Sequence, residues 1–220
     1  MNSLIHEATV LISILILLLI FAKIISKKVE DEIEISDIEE NKKYILIKDE
    51  NSKLYRVQAI KNFGDVKKGD IGGFIEKEEN LSHVGNCWIY DNAKVYENGS
   101  VYGDAKIKDN AEVFGEANIL ENSVIKDYAK VYGSAEIKGN AEIKDKAIVF
   151  ENAQVYGEAK IYGNASIYGN AKVYANAVVS MKAEVFDNAI VATNSKIFGF
   201  AKISQNARVE NRKIGANIVS

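Results

Sequence analysis

The sequence predicts an all-β solenoid, on three observations. From Ile89 to Ile214 the chain reads without insertion or deletion as hexapeptides such as DNAKVY, ENGSVY and GDAKIK. One position of the unit is Ile or Val in all 21 units, from Ile89, Val95 and Val101 to Val209. Four residues later stands Ala in 17 units, with Gly99, Ser123, Ser195 and Lys213 in the others. Repetition at a fixed short period outranks local propensity, because each unit can bury its apolar residues only against its neighbours.

Composition narrows the classes. At 220 residues the chain holds one domain or two small ones. The absence of Pro, 15 Gly and one Cys exclude collagen, a proline-rich linker protein and a disulfide scaffold. A net charge of -3 leaves no basic footprint, so nucleic acid is not an expected partner. Lys supplies 25 of 28 basic residues, so arginine forks for phosphate are scarce. The lone Cys87 suits a reducing compartment.

Residues 1–28 read as a transmembrane anchor. No charge falls between Ala8 and Ala22, and with Lys23 reaching toward the interface the apolar stretch extends to Ile25, about 18 residues. No Lys or Arg precedes it and no A-x-A follows, which disfavours a cleaved signal peptide. Lys23, Lys27 and Lys28 on the C-terminal side place the bulk of a single-pass membrane protein in the cytoplasm. Residues 29–41 (VEDEIEISDIEEN) form an acidic, solvated linker.

Residues 42–82 read as a small β-rich N-terminal cap. KKYILI and KLYRVQAI have strand texture and flank the turn former KDENS. Gly64, Gly69, Gly72 and Gly73 are expected at tight turns. The KKGDIGG stretch lacks the spacing of a phosphate loop. A solenoid must cover its first coil, since a bare edge and open core invite aggregation.

Residues 83–214 form the repeat domain, and 215–220 a C-terminal tail. In Ala105-Lys106-Ile107-Lys108 the period of two sends Ala and Ile inward and both lysines outward. The next two positions favour Gly (eight units, first place) and Asn (12 units, second place), residues that tolerate left-handed backbone and so make corners. Strands and corners alternating around an Ala and Ile/Val interior close into a solenoid with a tight, dry core.

The pattern resembles the hexapeptide repeat of left-handed parallel β-helix proteins, over 126 of 220 residues. The run GNCWIYDNAKVYENGSVYGDA, preceded by FGDVKKGDIGGFIEKEENLS, is further similar to uncharacterised bacterial and phage hexapeptide-repeat proteins labelled acetyltransferase-like (the YdcK type). The resemblance implies three units per triangular coil, hence about seven coils and a rod of roughly 30 to 35 Å. Residues 18 apart then stack.

Stacking aligns one aromatic column: Tyr96, Phe114, Tyr132, Phe150, Tyr168 and Phe186. It either stabilises the ladder or marks an interface. Beside it run Lys94, Glu112, Lys130, Ile148, Ser166, Glu184 and Lys202. A corner column of Asp91, Asp109, Asp127 and Asp145 is either neutralised by Lys108, Lys126 and Lys144 or able to recruit a divalent cation.

The resemblance implies an acyltransferase that uses a His base, loops that interrupt the repeat and an acyl-CoA bound between subunits of a trimer. This chain has only His6 and His83, and its repeats carry no insertion. His83 is the one candidate base, with a cap or turn role as the alternative. Cys87 reads as core, equivalent to Ala105. The expected function is a membrane-anchored β-solenoid scaffold without catalytic activity or cofactor, self-associating through the aromatic face as a trimer or lateral assembly. An acyltransferase and a glycan- or envelope-binding module are the alternatives.

Overall fold

The computed structural model describes residues 19–28, 41–50, 52–216 and 218–219. Each hexapeptide gives a short strand followed by a corner, as in Lys94–Val95, Ser100–Val101 and Lys106–Ile107. Strands 18 residues apart pair in parallel, Lys94 against Glu112 and Val95 against Val113. Three units therefore complete a turn. The strands line up as three sheets of 11, eight and seven members, about eight turns of a parallel β-solenoid where seven were expected. The 11-stranded sheet, here the long face, contains the Val95 row.

The interior is the column of branched residues alternating with alanine. Ile107, Val113, Ile119 and their equivalents, with Ala105, Ala111 and Ala117, are fully buried. Ser123 and Ser195 take alanine places, and their hydroxyls donate to Leu120 O at 2.6 Å and Val209 O at 3.1 Å. A small polar residue fits there because a carbonyl within reach satisfies it.

All 21 first-corner residues have positive φ, Gly at eight of them and other residues at thirteen, from Asp91 to Asn211. The asparagines at the second place were expected to share that role. They instead lie outside the left-handed region and form side-chain ladders, Asn152 to Asn170 at 3.2 Å, Asn170 to Asn188 at 3.1 Å and Asn188 to Asn206 at 3.3 Å.

The final coil shortens by one residue. Lys196 pairs with Lys213 and Ile197 with Ile214, a spacing of 17, so Ile214 enters the core and Lys213 faces solvent. A lysine cannot replace a core alanine without losing its hydration, and the corner contracts to keep it outside. Ile218–Val219, within the expected tail, pairs in parallel with Lys202–Ile203.

The cap begins with β1 (Tyr44–Lys48), β2 (Tyr55–Ala59) and β3 (Ile71–Ile75). They pair antiparallel in sequence, and β3 then runs parallel to Lys94–Val95. The cap thus extends the long face. Gly64 and Gly69 make turns with φ of 51° and 97°. Gly72 and Gly73, expected in turns, lie inside β3, where an added Cβ would come 2.5 Å from Ile89 O and 2.4 Å from Ala93 O. Bare backbone lets β3 lie directly on the first coil.

The expected transmembrane anchor is corrected. Among the described residues of this segment, 19–28 are helical. Among the described residues no helix is long and apolar enough to cross a membrane. The single-pass localisation and its cytoplasmic orientation fall with the anchor. Residues 1–18, on which most of that expectation rested, and residues 29–40 of the acidic linker lie outside the described residues. The chain divides into Met1–Lys42 and Lys43–Ser220, and the solenoid with its cap occupies the second unit.

Candidate interaction face and the cap histidine

The long face brings all six predicted aromatics together. Tyr96, Phe114, Tyr132, Phe150, Tyr168 and Phe186 form one continuous stack, with neighbouring centroids 4.8 to 5.1 Å apart and planes within 12°. Parallel strands impose this spacing, and the rings take the offset arrangement their quadrupoles favour. Each of the four inner rings has a neighbour on both sides, so the column is half-buried and presents ring edges to solvent. Burial, then the carboxylates of Glu112 and Glu97, pushes the Tyr96 phenol up to about 12. Burial, then the bond from its hydroxyl to Glu184, does the same for Tyr168, also to about 12.

Beside the rings the charged column is paired along the solenoid axis. Lys130 reaches Glu112 and Lys202 reaches Glu184, each at 3.0 Å. The second face differs. Lys108, Lys126 and Lys144 stack there, Lys126 pairing with Glu142 at 2.7 Å and Lys144 with the same carboxylate at 3.6 Å. Burial works to raise Glu142, and the Lys126 hydrogen bond with the nearby lysine charges outweighs it, leaving this carboxyl lowered.

The acidic corner column has partners that sequence reasoning did not anticipate. Asp109 N–H donates to Asp91 Oδ2 at 3.3 Å, Asp127 N–H to Asp109 at 3.1 Å, Asp145 N–H to Asp127 at 3.0 Å and Gly163 N–H to Asp145 at 2.8 Å. Glu97, Glu121, Glu151 and Asp187 serve the same amide elsewhere. The first-corner N–H turns out of the ladder, and a carboxylate one coil earlier accepts it. Among the described residues no group of three or more His, Cys, Asp or Glu is arranged around a common metal position.

His83 belongs to the cap. Lys43 N–H donates to Nδ1 at 3.2 Å, so Nε2 carries the proton and donates to Glu78 Oε1 at 2.7 Å. The ring stacks on Tyr44 with centroids 4.2 Å apart, and the Tyr44 hydroxyl donates to Leu81 O at 2.6 Å and Glu78 O at 3.0 Å. Both imidazole nitrogens are engaged, and the face of the ring is covered. His83 lies six residues before Ile89, but the core place opposite Val101 is taken by Leu81, so the hexapeptide frame does not reach the histidine.

Cys87 is buried as expected, but beside an unexpected charge. Lys43, 1 % exposed, donates from Nζ to Cys87 O at 2.8 Å, Gly85 O at 3.2 Å and Cys87 Sγ at 3.3 Å, and lies 4.9 Å from the centre of the Phe63 ring. Burial lowers the Lys43 ammonium and raises the Cys87 thiol from their ordinary values. Nothing in KKYILI distinguishes Lys43 from a solvated lysine at a strand start.

No family model matches the chain. A stretch of 50 residues, 23% of the chain, is 42% identical to a protein named "Uncharacterized acetyltransferase YdcK" from Escherichia coli (strain K12). The match spans 15% of that relative's length. Together with the parallel solenoid it fits a hexapeptide-repeat family, at the level of the repeat.

Proposed function

We propose that this chain is a β-solenoid interaction protein that associates with a second copy through the aromatic long face. The observation that carries the reading is the unbroken stack of six rings along one flat sheet. A half-buried apolar stripe of this length, rimmed by charge, is the composition of a reversible protein interface. The rings present edges, so a sugar would find no open face to stack on, which weighs against the glycan-binding alternative.

The full chain is expected to sediment as a concentration-dependent oligomer. Tyr132→Lys and Phe150→Lys, each placing a charge in the middle of the stripe, are expected to shift it to monomer. A wild-type protein that stays monomeric at high concentration overturns the reading.

The likeness to an acetyltransferase-named protein favours a second reading, a trimeric acyltransferase using acyl-CoA with His83 as base. General-base work needs a ring nitrogen free to accept a substrate proton. The Lys43 amide occupies Nδ1 and Nε2 already carries a hydrogen, which weighs against it. Acetyl-CoA turnover that disappears in His83→Ala would establish this second reading.

A further inference from the structure

Resting on the self-association reading, we propose that two copies dock their long faces antiparallel, on a two-fold axis midway between the Ile148 and Ser166 rungs. In face-to-face packing a two-fold axis lies in the interface plane. With the axis along the strands, the solenoids run antiparallel and each column meets itself in reverse. With the axis along the solenoid, the columns exchange sides and the charges of one copy land on the rings of the other.

Reading the column Lys94, Glu112, Lys130, Ile148, Ser166, Glu184, Lys202 against its own reverse gives one register the most opposite-charge contacts. With the axis between Ile148 and Ser166, Glu112 faces Lys202 of the second copy and Lys130 faces its Glu184. Each occurs twice by symmetry. The pairs already formed within each copy, Lys130–Glu112 and Lys202–Glu184, then close head to tail into squares of alternating charge. Moving the axis by half a rung spacing toward the cap sets Lys94 on Lys202 and Glu112 on Glu184. Moving it the other way sets Lys130 on Lys202. Like charges juxtaposed in this way exclude both neighbours.

The same register serves the rest of the face. Phe150 meets Tyr168 and Tyr132 meets Phe186 of the second copy, edge toward edge. The axis also divides the strands of the coils evenly, with the Val95, Val113, Val131 and Val149 strands on one side and the Ile167, Val185, Ile203 and Val219 strands on the other, while the cap strands β1 to β3 extend past the overlap. Lys94 comes opposite Ile218, which is exposed. A patch of roughly 34 by 15 Å buries about 500 Å² per copy, at the low end for specific association, which fits a reversible dimer.

The test uses full-length protein carrying Lys130→Glu or Glu184→Lys, with circular dichroism confirming the fold. Each variant alone is expected to dimerise roughly tenfold more weakly or worse, because like charges face across the axis. An equimolar mixture of the two variants is expected to recover a heterodimer, since the carboxylate introduced in one then faces the ammonium introduced in the other. Nitroxides on Lys94→Cys are expected about 35 Å apart, from seven rung spacings. If Tyr132→Lys abolishes the dimer while the mixture fails to recover it, or the nitroxides lie within about 20 Å, the face stands and the antiparallel register is overturned. A monomeric wild type overturns both.

Discussion

At every corner one residue accepts a left-handed backbone, and the side chain chosen for it reflects two forces. Glycine relieves the clash of Cβ with the carbonyl, while another residue bears about 1 kcal/mol of strain. Aspartate and glutamate offset that strain by accepting the first-corner N–H of the next coil. Asp127, at φ 59°, takes Asp145 N–H at 3.0 Å. Asp127→Ala keeps the strain and loses the bond, and is expected to lower stability by about 1–2 kcal/mol in a denaturant titration. Asp127→Gly loses the bond but also the strain, so its cost is expected to be smaller. Period 18 was visible in these acids, but their amide partners exist only once coils are stacked.

The cap is held by groups that only the folded chain brings into contact. Asp65 accepts from Tyr90 Oη at 2.7 Å and from Lys106 Nζ at 2.9 Å. The Lys106 hydrogen bond, then that of Tyr90, holds the Asp65 carboxyl below its usual range. A lowered folded-state pKa contributes stability that is complete above the unfolded value and is lost as pH falls through the folded one. Melting temperature is therefore expected to decline on acidification below about pH 4, and Asp65→Asn to flatten that part of the profile while lowering the plateau above it. Arg56 acts alongside, its guanidinium donating to Gly72 O at 2.8 Å and Asp91 O at 3.0 Å while lying over Phe74. The strand texture of β1 and β2 was legible in KKYILI and KLYRVQAI. The place of β3 was obscured because Gly72 and Gly73 signal turns to a reader who cannot see the first coil above them.

Over the whole molecule, each coil touches only the coils before and after it, so damage stays local. Ala141 is fully buried between rungs. Ala141→Leu is expected to overpack the core by about 1–3 kcal/mol, and hydrogen exchange to accelerate in the adjoining coils while the cap coil keeps its protection. Loss of protection in all coils together would show a single cooperative unit instead. The same one-dimensional order makes the long face a straight strip, on which rings and charges fall at fixed intervals.

The hexapeptide run by itself determined the strand-and-corner solenoid and the inward Ala and Ile/Val columns, because each unit can bury its apolar residues only against its neighbours. Three units per coil, and with them the stacking of residues 18 apart and the line of six rings, followed from the resemblance to hexapeptide-repeat β-helices. Tertiary structure decided what those residues do with their neighbours. It turned ring faces toward one another, gave the corner carboxylates to backbone amides, clasped His83 between Lys43 and Glu78, and contracted the last coil to keep Lys213 in water. Periodicity fixes which way a side chain points, but hydrogen-bond partners come from the coil above, the coil below and the cap, and those distances arise only on folding.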